Sequence, residues 1–180
     1  SIIVGHETTG TLNAAQENVA IGTGALDAIT EGDDNTAIGY NTLSVNTTGN
    51  RNTAVGANAL QKNTTGIVNV AVGSSALDKN TTSNANTAIG HASSYSLSSG
   101  ANNVTLGYES AKSLATGNNN VVIGAASAAS TNGGSTNQTV IGYATTGLAD
   151  NSVTLGNSDV TAVYMAQDTG ATVYAAGISL

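Results

Sequence analysis

The chain has 180 residues, a formal net charge of −7, and no Cys, Pro, Trp or Phe. Without Cys there is no disulfide framework, and with only four Lys and Arg there is no basic face for a nucleic acid. No apolar run reaches the ~18–20 residues that cross a bilayer, so neither a nucleic-acid partner nor membrane insertion is expected.

Taken in order, the chain repeats itself. Ser1 to Gly5 is a loose first copy of a short motif, and Asn18-Val19-Ala20-Ile21-Gly22 is the first clear one. It returns as Asn35-Thr36-Ala37-Ile38-Gly39, Asn52-Thr53-Ala54-Val55-Gly56, Asn69-Val70-Ala71-Val72-Gly73 and Asn86-Thr87-Ala88-Ile89-Gly90. Asn103-Val104-Thr105-Leu106-Gly107 and Asn120-Val121-Val122-Ile123-Gly124 complete the strict series, in which the Gly recurs every 17 residues. Looser copies end at Gly142 and Gly156, after spacings of 18 and 14. A fixed period this short specifies stacked coils, each resting on its neighbours. The prediction is an all-β parallel β-solenoid of about ten 17-residue coils over residues 1–156, followed by a C-terminal β transition segment over 157–180.

Within each copy the alternation of large and small residues is that of a strand. We expect Ile21, Ile38, Val55, Val72, Ile89, Leu106 and Ile123 to form the structural core, buried in one line. The opposite column, Ala20, Ala37, Ala54, Ala71 and Ala88, would then be a small-residue face open to close approach by another backbone. Four residues after the Gly, Leu26, Leu43, Leu60 and Leu77 suggest a second short strand across a thin core. Ten residues after it, Gly32, Gly49, Gly66, Gly100, Gly117 and Gly134 mark the closing turn, with Ser83 replacing Gly once. The Leu column stops at Leu77 and resumes three positions later as Leu97 and Leu114, which places a change of cross-section near residues 91–97. The Asn that opens each copy is either an amide ladder along the axis or a turn residue.

Each buried Ile, Val or Leu contributes about 1.5–3 kcal/mol, against about 1–2 kcal/mol per residue of backbone ordering. Two or three such residues per coil leave a lone chain marginal, so either the ladders add much or several chains associate.

The tandem Asn-(Thr/Val)-Ala-(Ile/Val)-Gly motif resembles the heads of trimeric autotransporter adhesins and the repeat regions of bacteriophage tail fibres. The resemblance covers residues 1–156. It implies a left-handed β-roll, a homotrimer of parallel chains and a role in attachment. The adhesin heads repeat at 14 residues, a spacing found here only between Gly142 and Gly156. The runs at residues 159–164 and 170–174 look more like the segment that follows these repeats in phage fibres. That points to a virion tail fibre outside the cell. The alternatives are the head of a bacterial surface adhesin or a purely structural spacer.

Catalysis has little to work with. His6 and His91 each follow a repeat Gly, and no nucleophile or carboxylate recurs beside them. A non-enzyme is expected, with no catalytic residue, cofactor or metal. Tyr40, Tyr108 and Tyr143 share the column of His91. They either tolerate a bulky position beside the bend or form candidate glycan contacts on which a sugar ring stacks. A cell-surface glycan or a protein receptor is the expected external partner. Asp34 and Arg51 occupy equivalent positions on neighbouring coils, about one strand spacing apart, close enough to pair. Lys62 and Lys79 stack with like charge, so that face should be well solvated. Glu31, Asp33 and Asp34 read as a solvated acidic turn rather than a calcium site.

Overall fold

A computed structural model describes residues 2–4, 15–131 and 133–163. Ten short strands form one sheet: β1 (Ile2–Val4), β2 (Val19–Ile21), β3 (Thr36–Ile38), β4 (Thr53–Val55), β5 (Val70–Val72), β6 (Thr87–Ile89), β7 (Val104–Leu106), β8 (Val121–Ile123), β9 (Gln138–Ile141) and β10 (Ser152–Leu155). Every neighbouring pair is parallel and the spatial order is the chain order. The motif is the register: Ala20 pairs Ala37, Ala37 pairs Ala54 and Ala54 pairs Ala71. The protein is therefore an all-β parallel β-solenoid of about eight turns, with no helix among the described residues. We number the turns coil 1 (18–34), coil 2 (35–51), coil 3 (52–68), coil 4 (69–85), coil 5 (86–102), coil 6 (103–119), coil 7 (120–137) and coil 8 (138–151).

The two faces of the sheet are the reverse of the sequence-based expectation. Ala20, Ala37, Ala54, Ala71 and Ala88 are fully buried inside the coil. Ile21, Ile38, Ile89 and Leu106 point outward and are 37–43% exposed, while Val55, Val72 and Ile123 are half-buried. Alternation separates two faces but does not say which is inside. The far wall decides, because Leu26, Leu43, Leu60 and Leu77 fill the coil completely, and only a methyl fits on the strand opposite them. With the Ala column enclosed by its own chain, it offers no surface to another one.

The far wall is not a strand. Leu26, Leu43, Leu60 and Leu77 have φ of 50–53°, and the residues two earlier, Gly24, Asn41, Asn58 and Ser75, have φ of 51–72°. Left-handed residues spaced by two curl the chain into a turn instead of an extended segment. The curl still satisfies the backbone, since the Leu26 N–H donates to Thr42 O (3.0 Å) and the Leu60 N–H to Ala76 O (3.0 Å) on the next coil. The bend before it needs glycine. Gly56 has φ +128°, and a Cβ there would lie 2.6 Å from the carbonyl carbon of Gly73.

Amide ladders hold the interior. Asn35 donates its backbone N–H and its Nδ2 to Oδ1 of Asn18 (2.9 and 3.0 Å), and Nδ2 also donates to the Gly49 carbonyl (2.9 Å). The same bonds join Asn52 to Asn35, Asn69 to Asn52, Asn86 to Asn69, Asn103 to Asn86 and Asn120 to Asn103. Gln138 ends the ladder, its N–H donating to Oδ1 of Asn120 (3.1 Å). A buried amide on which every donor and acceptor is used is stabilising, and one left short is costly. Asn46, Asn63 and Asn80 make a second, shorter ladder (2.8 and 3.2 Å). It stops at Ser83, the replacement for Gly. There the Ser83 N–H donates to Oδ1 of Asn80 (3.1 Å), and the Ser83 hydroxyl also meets that oxygen.

The change of cross-section is an exchange of volume. Coils 2–4 carry Leu43, Leu60 and Leu77 with Asn46, Asn63 and Asn80 three residues on. Coils 5 and 6 carry Ser94 and Ala111 there, with Leu97 and Leu114 three residues on, all buried. The strand follows, its inward residue growing from Ala88 to Thr105, Val122 and Val140. A close-packed interior requires this kind of compensation. Beyond β10, residues 157–163 are a turn and irregular chain with Val160 and Val163 exposed. The rest of the expected 157–180 transition segment, residues 164–180, lies outside the described residues.

Candidate functional site

The turn after each strand sets up the outward columns. With left-handed residues at two places in it, the side chain just after the Gly points to solvent. So do most of those that follow the Leu position, buried Asp78 excepted, whereas Ala59 and Leu60 between them point in. Thr23, Tyr40, Ala57, Ser74, His91, Tyr108, Ala125 and Tyr143 therefore form one exposed or half-buried column.

Of the four candidate glycan contacts, the structure brings two together. His91 and Tyr108 stack with ring centroids 5.5 Å apart and planes 19° from parallel. Tyr40 is separated from His91 by the rungs of Ala57 and Ser74, and Tyr143 from Tyr108 by that of Ala125. Tyr40, Tyr108 and Tyr143 are 56–72% exposed. The His91–Tyr108 pair thus ends at both sides on a small residue, which leaves ring faces open.

Beside this pair lies a group that sequence reading did not assemble. Lys79 Nζ sits 4.9 Å from the centroid of Tyr95, a cation–π contact. Lys112 donates to Oε1 of Glu109 (2.7 Å), and this bond draws the Glu109 carboxyl below its ordinary value and holds the Lys112 ammonium above its own. Asp78, beneath Lys62 and Lys79, is buried, and burial raises its carboxyl's pKa despite the two ammoniums. Backbone bonds place these residues on successive rungs: Lys62 N–H to Asp78 O (3.0 Å), Lys79 N–H to Tyr95 O (3.2 Å) and Ser96 N–H to Lys112 O (3.0 Å). The signal was present in the sequence, because Asp78, Tyr95 and Lys112 are spaced by 17.

Arg51 Nε lies 3.6 Å from Oδ2 of Asp34 with both side chains exposed, a pair worth about 0–1 kcal/mol. The pair shares a shallow depression with Asp33, Asn50, Ile67 and Val68. Asp33 Oδ1 accepts the Gln16 N–H (2.7 Å). No group of three or more His, Cys, Asp or Glu converges as a metal site among the described residues. His6 lies outside those residues.

The fold and this patch place the chain in the class of parallel β-solenoids with a decorated turn face. No protein-family model, no characterised protein and no solved structure matches the chain.

Proposed function

We propose that this chain is a non-enzymatic segment of a trimeric fibre that attaches a particle to a cell surface, part of a bacteriophage tail fibre. In this reading the solenoid is a left-handed roll and three parallel copies stand side by side. The observation that carries it is the outward stripe of the sheet. Its two columns contain only Ile, Val, Leu and Thr from β2 to β8, without one charged residue. The stripe from β1 to β10 is roughly 43 Å long at the ~4.8 Å strand spacing. An apolar surface this long and continuous marks an interaction site. A second copy of the chain is the occupant that suits it, because its own stripe has the same pitch and the same neutrality along the whole length. The motif's resemblance to fibre repeats adds that the copies number three.

Sedimentation equilibrium tests this at micromolar concentration. The expected mass is three chains, falling to one when Ile38 and Val72 are both replaced by Lys, while circular dichroism of the variant keeps its β signal. A monomeric unmodified chain would overturn the reading. A head of a bacterial adhesin is the second reading. Coil 8 favours it, with its 14-residue spacing from Gln138 to Ser152 in continuous register with the 17-residue coils.

A further inference from the structure

Three of the four basic side chains of this acidic protein stand in one strip. Lys62, Lys79 and Lys112 lie on the outward turn face of coils 3, 4 and 6, with Tyr95 on the coil between the last two. Lys62 and Lys79 are like-charged neighbours about one strand spacing apart, both exposed. Two carboxylates accompany them. Asp78 is only 7% exposed, so it lies beneath the ammoniums instead of presenting itself to a ligand. Glu109 is engaged by Lys112 at 2.7 Å. What the strip offers to solvent is therefore two ammoniums, with the open faces of the stacked His91 and Tyr108 rings on the neighbouring column of coils 5 and 6.

Folding does not require two adjacent lysines at those positions. The same two columns elsewhere carry Ala28, Ser44, Val45 and Gln61, and like charges one rung apart are mutually destabilising. A net charge of −7 repels polyanions at long range, but beyond about 8–10 Å that repulsion is screened by physiological salt. The local arrangement then decides what binds. Ammonium groups suit carboxylate oxygens, and flat aromatic faces suit the apolar face of a pyranose.

We propose that the turn face of coils 3–6 is a binding site for a carboxylated glycan, its acid groups held by Lys62 and Lys79 and a sugar ring stacked on the His91–Tyr108 pair. This deepens the attachment reading and rests on it. The site would lie on the turn face and leave the apolar stripe free for other copies of the chain.

The test is titration calorimetry of the assembled protein with oligogalacturonate as the acidic probe and a neutral galactan oligomer of equal length as the control. The expected result is binding of the acidic oligomer alone, weakened by added salt. Replacing Lys62 and Lys79 by Met should weaken it by roughly tenfold or more, and Tyr108→Ala should weaken it independently. Arg51→Met, which removes the same charge from the other flank, should change nothing. Equal affinity for both oligomers, no affinity for the acidic one, or equal effects of K62M/K79M and R51M would overturn the proposal. Adsorption of the fluorescently labelled protein to bacterial cells separates the two readings. Adsorption that survives K62M/K79M leaves attachment standing and sinks this site, whereas absence of adsorption by the unmodified protein sinks both.

Discussion

Ser94 and Thr105 share a hydrogen bond of 3.0 Å between their hydroxyl oxygens, at wall and strand positions where the earlier coils carry Leu and Ala. Ser93 joins them, its hydroxyl 2.8 Å from Thr105 Oγ1. Coil by coil, one interior volume is divided differently: Ala54 on the strand with Leu60 on the turn, then Thr105 with Ala111, then Val122 with Ser127 and Ala129. The far wall and the strand are packed as a unit.

That coupling is measurable. Ala54→Val alone should overpack coil 3 and cost about 1–3 kcal/mol. Leu60→Ala alone should leave a cavity and cost about 2–5 kcal/mol. The double variant moves volume from the turn to the strand, as coil 6 does with Thr105 and Ala111, and should cost at least 1 kcal/mol less than the sum, about what neighbouring sites show. Urea melts of the four proteins give the cycle, and simple additivity would mean that the two walls do not share volume.

The ladder has its own expected cost. Asn69 donates to Asn52 Oδ1 (3.1 Å) and to the Ser83 carbonyl (2.9 Å), and it accepts the Asn86 N–H (3.0 Å). Asn69→Ala leaves the buried Asn86 N–H without its acceptor, at about 1–3 kcal/mol before relaxation, and removes one of the two donors from Asn52 Oδ1 and from the Ser83 carbonyl. Asn69→Asp should be at least as harmful, since a carboxylate would face the Asn52 and Ser83 oxygens. A melting temperature within a degree of the parent for both variants would show that the amides are only turn residues.

Val68 is strained. Its φ is +59°, which for a β-branched residue is an outlier. The residues at the same place on other coils include Arg51, Ala85, Asn102 and Asn119, all near +57°. Val68→Asn should therefore stabilise the protein by about 1 kcal/mol, read as a raised melting temperature, while Val68→Ile should give no gain.

How much of this could be read beforehand follows from what periodicity carries. The 17-residue recurrence of Asn and Gly specifies the coil, its register and the columns, and β2 to β8 lie on the motif. It carries no sign for the two faces of a strand, so alternation alone puts the Ile21–Ile123 line inside although it lies outside. The sign sat in the Leu43–Leu77 column, whose bulk leaves the strand room for nothing beyond Ala. The turn at those Leu residues was not legible as a turn, because Leu is not a residue whose chemistry announces φ > 0. At the candidate site, the one column containing His91 and Tyr108 was visible. The neighbouring one was missed because Asp78, Tyr95 and Lys112 share a period without sharing a residue type.

Two aspartates should give opposite responses to pH. Asp150 accepts the Thr136 N–H (2.8 Å) and the Gln138 side-chain amide (3.0 Å), and these bonds lower its pKa in the folded protein below the ordinary 3.8. Its unfolded form binds protons first, so its contribution is present above that pH and is lost as pH falls through the folded value. Asp78 is the reverse. Burial raises its pKa above 3.8 against the pull of Lys62 and Lys79, so the folded state holds the proton longer. Ionising it costs stability as pH rises from 3.8 through the folded value, and that cost is fully present at neutral pH. Asp150→Asn should therefore lower the melting temperature at pH 7, with the loss shrinking as pH falls below 3.8. Asp78→Asn should raise it at pH 7, with the gain vanishing near pH 3. Thermal melts of both variants at the two pH values decide the matter. Shifts of the same sign at pH 7 would mean that hydrogen bonding to Asp150 or burial of Asp78 does not set these equilibria.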